Sequence, residues 1–88
     1  MMNSKENSIK IKFDKRVEKD LKKIPKQDID KIFEAIDKLK ENPFLGDILK
    51  SDLSDFRRIK LNKYRIAYIY KENVLTILII KIVLRKDF

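Results

Sequence analysis

The chain has 88 residues, 43% of them hydrophobic and 41% charged, and its formal net charge is +8. This length suits a single domain, residues 1–88, with one hydrophobic core. Because the sequence has no cysteine and no histidine, it excludes disulfides, Cys/His zinc sites, cysteine nucleophiles and histidine acid–base chemistry. It also lacks a glycine-rich phosphate loop and a metal-binding motif, so we expect no cofactor and no metal site.

No segment predicts export or membrane insertion. The first residues are polar and lack the apolar run of a signal peptide, and we expect residues 1–7 to be frayed. The apolar run from Val74 to Ile80 is far too short to span a bilayer. We therefore expect a cytoplasmic protein that has no membrane partner.

The first half of the chain predicts one strand and two helices. Residues 9–13 alternate apolar and polar side chains, as a half-buried strand does. Asp14 can cap a short helix, and Pro25 suits the first turn of the next one. Asn42-Pro43 should end the second helix. The two apolar stripes are Val17, Leu21 and Ile24, and then Ile29, Ile32, Phe33, Ile36 and Leu39.

The second half predicts three more strands. Residues 43–54, with the only glycine, Gly46, are expected to form a loop. The predicted strands are 56–61, 64–70 and 74–81, joined by turns at 62–63 and 71–73, and residues 82–88 begin apolar and turn basic. The predicted fold is α+β, in the order β-α-α-β-β-β. It has a four-stranded, mostly antiparallel sheet with a helical hairpin packed on one face.

The positive charge is concentrated in the last third of the chain. Residues 57–88 contain nine Lys and Arg against two Asp and Glu, which gives +7 of the total of +8. A solvated surface on a charge-rich, thermophilic protein would explain abundant charge of both signs. It does not explain charge of one sign gathered in one segment, so an anionic partner, nucleic acid, is favoured.

Strand alternation places several cations on one face. Arg58 and Lys60 should share the open face of the sheet, while Arg57, Ile59 and Leu61 point to the helices. Arg65, on the next strand, should lie near Arg58 and Lys60, joined by Lys81 and Arg85.

The aromatic and acidic residues divide between core and surface. Most of Tyr64, Tyr68 and Tyr70 should be core, and Phe88 is the better candidate to stack on a base. Carboxylate chemistry is not favoured, since Asp28 and Asp30 suit a helix start.

These motifs resemble the RelE/ParE superfamily of toxins from toxin–antitoxin pairs, over nearly the whole chain. The likeness is carried by Leu49-Lys50, by Phe56-Arg57-Arg58-Ile59-Lys60-Leu61, by Lys63-Tyr64-Arg65-Ile66-Ala67-Tyr68 and by Leu84-Arg85-Lys86. It is strongest to the RelE side, whose members cleave messenger RNA in the ribosomal A site.

The resemblance implies a metal-independent endoribonuclease that depends on the ribosome and uses the 2′-hydroxyl of the RNA as nucleophile. The implied catalytic residues are Arg58, Lys60, Arg65 and Arg85. The implied RNA-binding residues are Lys50, Arg57, Lys63, Lys81, Lys86 and Phe88.

The sequence departs from the family pattern at its end. RelE-type enzymes often carry a tyrosine there that can act as general base, whereas this chain ends Arg85-Lys86-Asp87-Phe88. Phe88 cannot accept a proton. Either a lysine with a lowered pKa takes that role, or catalysis is weaker.

The resemblance also implies partners and leaves two alternatives. The partners are the ribosome, messenger RNA and a cognate RelB-like antitoxin, acidic and helical. The alternatives are a ParE-like inhibitor of DNA gyrase, which acts through protein contacts, and a non-catalytic nucleic-acid-binding module.

Overall fold

The computed structural model describes residues 8–49 and 56–88, which form two helices and five strands. The predicted fraying of residues 1–7 and the end of the predicted loop, residues 50–54, lie outside the described residues. The elements are β1 Lys10–Phe13, α1 Lys15–Lys22, α2 Lys26–Leu39, β2 Asp47–Ile48, β3 Phe56–Leu61, β4 Tyr64–Lys71 and β5 Thr76–Leu84. This architecture confirms the α+β class.

The sheet has one strand more than the sequence predicted. Its strand order is β1-β5-β4-β3-β2, with β1 parallel to β5 and all other neighbours antiparallel. The additional strand, β2, lies in the segment predicted to be loop and pairs Asp47 with Arg58 and Ile48 with Arg57. Two residues are too few to show alternation, so no pattern in the sequence indicates this strand.

The last strand is displaced from its predicted bounds. A 3-10 turn at Glu72–Val74 leads into Leu75, whose φ of 47° is left-handed, so β5 begins at Thr76 rather than at Val74. The strand then continues to Leu84, beyond the predicted end near Lys81, and a second 3-10 turn follows at Arg85–Asp87. The apolar residues at 82–84 therefore belong to the sheet.

A β-bulge in β5 changes which side chains face the helices. Ala67 lies opposite Lys81 but Tyr68 lies opposite Ile79, so Ile80 is an extra residue without a partner. Ile79 before the bulge and Ile82 after it are both buried in the core. Lys81, between them, shares the opposite face with Ala67.

The core lies between the helical hairpin and one face of the sheet. The helices contribute Val17, Ile32, Ile36 and Leu39, and the sheet contributes Tyr64, Ile66, Tyr68, Ile77, Ile79 and Ile82. Burial of Tyr64 and Tyr68 confirms the prediction that most of the tyrosines are core.

Phe33 was predicted in the buried stripe of α2, and this prediction is wrong. Its side chain is 40% exposed and packs edge-to-face on Phe13, with ring centroids 5.9 Å apart. Phe13 lies at the end of the edge strand β1, so the pair covers the rim of the core.

Asp14 caps α1 as predicted. Its carboxylate accepts a hydrogen bond from the backbone N–H of Arg16 at 2.9 Å, and that bond lowers the pKa of Asp14. Over the ranges that the structure describes, no helix is long and apolar enough to cross a membrane.

Candidate nucleic-acid interface

The sheet face away from the helices carries four cations in two adjacent rows. In one row Arg58 lies opposite Ala67, which lies opposite Lys81; in the next, Lys60 lies directly opposite Arg65. Cross-strand partners project from the same face. The backbones of Arg58 and Lys81, two strands apart, are roughly 10 Å from each other. We call these residues, Arg58, Lys60, Arg65 and Lys81, the cationic face.

Phe88 folds back onto this face. Its ring centroid lies 5.2 Å from Arg58 Cζ and 5.6 Å from Lys81 Nζ. Ala67, the residue between these two cations in the row, has a short side chain that leaves room above the sheet. Both contacts have the geometry of cation–π interactions.

Arg58 has an unused donor. Its Nε is buried and has no hydrogen-bond partner. Its cross-strand neighbour Asp47 is the nearest carboxylate in register, but the ion pairs found within the described ranges are Arg16–Asp14 and Lys40–Asp37. A buried N–H without a partner is costly and therefore calls for an explanation.

Arg65 is held at the turn between β3 and β4. Its Nη1 donates to the carbonyl oxygens of Asn62 at 3.0 Å and Tyr64 at 2.8 Å. Asn62 has a φ of 56°, a left-handed conformation that asparagine tolerates. These bonds use one nitrogen, so other donors of the guanidinium can bind an anion.

Arg85 and Lys86 lie beside the same turn. The backbone N–H of Arg85 donates to the carbonyl of Lys63 at 2.6 Å, which fixes the start of the segment after β5. Arg85 and Lys86 line a groove there with Asn62, Lys63 and Leu84. The side chain of Lys63 lies over the ring of Tyr64, 5.7 Å from its centroid. Of the predicted catalytic residues, Lys60 lies opposite Arg65, Arg58 lies one row further along the same strand as Lys60, and Arg85 lies at the end of the sheet.

Arg57, one of the predicted RNA-binding residues, is not brought to this face. Arg57 points to the other side of the sheet, where Nη1 donates to the carbonyls of Phe44 and Gly46 and its guanidinium lies 5.1 Å from the Phe44 ring centroid. These contacts give Arg57 a structural role, holding the segment before β2 against β3. Lys50 lies outside the described residues.

Three lysines on the same face were missed by the sequence analysis. Lys10 and Lys71 flank Thr76, and Lys12 lies opposite Leu78, so all three line one groove at the far end of the sheet. Alternation over residues 9–13 put Lys10 and Lys12 on a common face. What it could not show was the parallel pairing of β1 with β5, which joins that face to the cationic face.

A buried tyrosine holds β2 next to Arg58. The Tyr68 hydroxyl donates to the carbonyl of Pro43 at 2.7 Å and accepts from the N–H of Gly46 at 3.0 Å. Burial raises the pKa of Tyr68, opposed by the bond from Gly46 and the charge of Arg57. A Cβ on residue 46 would lie 2.8 Å from the Arg58 carbonyl oxygen, so only glycine fits this approach.

Metal ligands are not gathered anywhere in the described ranges. Residues 8–49 and 56–88 hold no group of three or more His, Cys, Asp or Glu side chains that could bind an ion. The donors that the cationic face presents are Lys and Arg side chains.

Several solved toxin structures have the same fold. The RelBE2 toxin–antitoxin complex from Mycobacterium tuberculosis matches with a TM-score of 0.80 at 22% identity, covering 89% of this chain and 99% of that one. The isolated RelE toxin of E. coli matches with a TM-score of 0.77 at 20% identity, covering 88% and 84%. The archaeal RelE–RelB complex from Pyrococcus horikoshii OT3 matches with a TM-score of 0.72 at 27% identity, covering 89% and 96%.

The family of the chain is identified from its sequence. A search of curated proteins gave no significant match. The profile described as the ParE toxin of the type II toxin–antitoxin system, parDE, matches residues 11–87, which includes every helix and all but the first residue of the sheet. With the sequence profile and the fold in agreement, the chain belongs to the RelE/ParE superfamily of type II toxin–antitoxin toxins.

Proposed function

We propose that this toxin is a metal-independent endoribonuclease that cleaves messenger RNA in the ribosomal A site. The observation that supports the proposal most directly is Arg58, a cation of the cationic face with a buried Nε that has no partner. A phosphate oxygen is the acceptor that suits such a donor, since an N–H bond to an anion is stronger than one to a neutral group.

The reaction needs no nucleophile from the protein. The 2′-hydroxyl oxygen of the RNA forms a bond to phosphorus, the bond from phosphorus to the 5′-oxygen breaks, and that oxygen takes up a proton. Negative charge grows on the phosphate oxygens in the transition state, and preset N–H donors around them stabilise it. We assign Arg65 and Arg85 to this charge, and Arg58 and Lys60 to holding the phosphate.

Proton transfer is the step to which the chain contributes least. Phe88, where related enzymes often carry a tyrosine, has no side-chain atom that accepts a proton. The proton of the 2′-hydroxyl passes either to a lysine or to solvent, and the ribosome positions the substrate. Catalysis by this chain accordingly depends on electrostatic stabilisation by the cationic face.

We propose three further contacts with RNA. Lys63 and Lys86 line the groove beside Arg85 and would bind phosphates next to the cleaved one, while Lys81 would do so beside Arg58. Phe88 lies over Arg58 on the cationic face, at the place that a stacked base would take.

A cognate antitoxin is proposed as the partner that restrains the toxin. The similar structures from Mycobacterium tuberculosis and Pyrococcus horikoshii are toxin–antitoxin complexes. A partner of this chain should be acidic and helical where it meets residues 57–88, which carry +7. Association of such opposite charges is fast and weakens with salt.

Truncation of the two arginines assigned to transition-state charge tests the mechanism. Arg65→Ala and Arg85→Ala should each slow ribosome-dependent cleavage by roughly 100- to 1,000-fold, as loss of one such donor does elsewhere. Cleavage is measured by primer extension on messenger RNA in a purified translation system, and growth arrest is measured on induction in cells.

Two controls accompany these variants. Lys19→Ala, on the exposed face of α1, should keep full activity, and circular dichroism should show that all variants fold. In Arg65→Ala, loss of the bonds to Asn62 and Tyr64 could itself perturb the turn. Arg65→Lys is therefore included as a second variant, because it keeps the positive charge. Full activity of both alanine variants would remove these arginines from the mechanism.

Inhibition of DNA gyrase is the second candidate function. It is favoured by one observation, the match of residues 11–87 to the ParE toxin profile. A supercoiling assay with purified protein separates the two candidates. Gyrase inhibition without RNA cleavage would establish the second and overturn the first.

A further inference from the structure

We propose that Phe88 is a built-in lid on the cationic face, which a nucleobase of single-stranded RNA must displace before a phosphate reaches Arg58. This inference rests on the proposed function, because it describes how that site is opened. It assigns Phe88 a role opposite to that of a passive stacking platform, since removing the ring should strengthen RNA binding.

The Phe88 ring lies where a base stacked on Arg58 would lie. The centroid of the Phe88 ring lies 5.2 Å from Arg58 Cζ and 5.6 Å from Lys81 Nζ, so one ring contacts the two cations of a single cross-strand row. A nucleobase has a π-face of similar size and stacks on a guanidinium in the same way. Ring and base therefore compete for the same place.

The Phe88 ring lies over an arginine that has an unsatisfied donor. Arg58 Nε has no hydrogen-bond partner and no contact with solvent, while the Phe88 ring lies over the same guanidinium. A carbon ring cannot accept the proton of Nε as an anion would. With the ring in place, this site is closed to phosphate and its donor is unsatisfied.

The segment that carries the Phe88 ring is held by few bonds. The segment after β5 is fixed at Arg85, whose N–H bonds the carbonyl of Lys63, and it continues as a single 3-10 turn. Beyond that, the backbone N–H of Phe88 makes one long bond, 3.3 Å, to the carbonyl of Arg85, and the residue is 41% exposed. Few contacts thus hold the ring, and it can leave without unfolding the sheet.

The lid lowers RNA affinity by the fraction of molecules in which it is open. Two cation–π contacts at a partly exposed site correspond to a roughly 5- to 30-fold change in an equilibrium constant. Phe88→Ala loses both contacts. It should therefore bind a single-stranded oligoribonucleotide roughly 5- to 30-fold more tightly than the wild type.

The binding experiment uses fluorescence anisotropy of a labelled oligoribonucleotide with the full chain and no ribosome. Phe33→Ala is the matched control, because Phe33 is 40% exposed and lies on α2, away from the cationic face. It should bind as the wild type does. Unchanged or weaker binding by Phe88→Ala would overturn the lid, and weaker binding would instead identify Phe88 as a stacking platform.

A second readout separates failure of the lid from failure of the proposed function. The chain has five arginines, so the Nε–H NMR signal of Arg58 can be assigned by its loss in Arg58→Lys. In Phe88→Ala this signal should lose its ring-current shift, exchange faster with water, and respond to inorganic phosphate at lower concentration than in the wild type.

The outcomes are distinct. If phosphate reaches Arg58 more readily in Phe88→Ala while no variant cleaves RNA, the lid is supported and the nuclease proposal fails. If RNA is cleaved but the Arg58 signal and RNA affinity are the same with and without the ring, the nuclease proposal is supported and the lid is wrong.

Discussion

Tyr64 shows how one side chain joins the helices to the strand that carries Arg65. It is 5% exposed, and its hydroxyl donates to Asp28 Oδ2, in the first turn of α2, at 2.7 Å. Burial, together with the bond to Asp28 and its negative charge, raises the pKa of Tyr64 to about 12. The hydrogen bond thus exists only while Tyr64 is protonated.

The raised pKa predicts a loss of stability in alkali. In the unfolded chain Tyr64 ionises near its ordinary pKa of 10, whereas in the fold it stays protonated to about 12. The stabilisation is therefore complete below pH 10 and is lost as the pH rises from 10 to about 12. Urea unfolding across this range should show a smaller alkaline loss for Tyr64→Phe than for the wild type.

Tyr68 provides the internal reference for that measurement. Its pKa is also raised, and it is present in both proteins, so a common alkaline loss remains in each. Equal losses in Tyr64→Phe and the wild type would show that Tyr64 titrates alike in the folded and the unfolded chain, which would contradict its raised pKa.

At the scale of elements, the attachment of β2 depends on one residue without a side chain. Gly46 lets the chain approach the Arg58 carbonyl and the Tyr68 ring, and a Cβ there would meet them at 2.8 and 3.0 Å. Backbone on β3 and a buried ring cannot easily move aside. The requirement for glycine thus comes from close packing and not from a special φ.

Gly46→Ala should destabilise the fold by roughly 1–3 kcal/mol, the usual effect of overpacking. The free energy of unfolding is measured by urea titration. Leu45→Ala is the control, because this neighbour is 54% exposed and its loss should change stability by less than about 0.5 kcal/mol. Equal stability of the two variants would mean that β2 is not held against Arg58 as described.

The elements also show what a sequence of this kind can and cannot predict. Alternation along β3 placed Arg58 and Lys60 together, because period-two patterns survive in a long strand. The two-residue β2 and the bulge at Ile80 break or shorten that period and left no signal. The structural role of Arg57 depends on carbonyls eleven and thirteen residues away, which no local pattern reports.

At the scale of the whole molecule, cations lie along the open face of the sheet and at the end of the sheet beside the β3–β4 turn. Lys10, Lys12 and Lys71 line a groove at one end, and Arg85 and Lys86 line another beside the β3–β4 turn. The sequence predicted the second group from its charge and did not predict the first. An RNA strand that crosses the cationic face would meet positive charge at both ends of its path.

The salt dependence of RNA binding tests this path. Each lost phosphate contact should reduce the slope of log K against log salt by roughly 0.7, so replacing all three groove lysines should reduce it by roughly 2. A control with three helix lysines replaced carries the same change in net charge and should keep the wild-type slope. The groove variant changes Lys10, Lys12 and Lys71 to Gln, and the control changes Lys19, Lys31 and Lys38. Equal slopes for the two variants would exclude the groove from the RNA path.

The extra residue in β5 has a consequence for comparisons between members of the superfamily. Ile80 shifts the strand by one position, so the alternation of core-facing and solvent-facing side chains reverses across it. A homologue without this insertion, aligned residue for residue, would have a core-facing position in the column where this chain has Lys81. Equivalent columns in such an alignment need not be equivalent in space. Gain or loss of a single residue here exchanges solvent for core at every position up to Leu84, which makes strand length a determinant of charge placement.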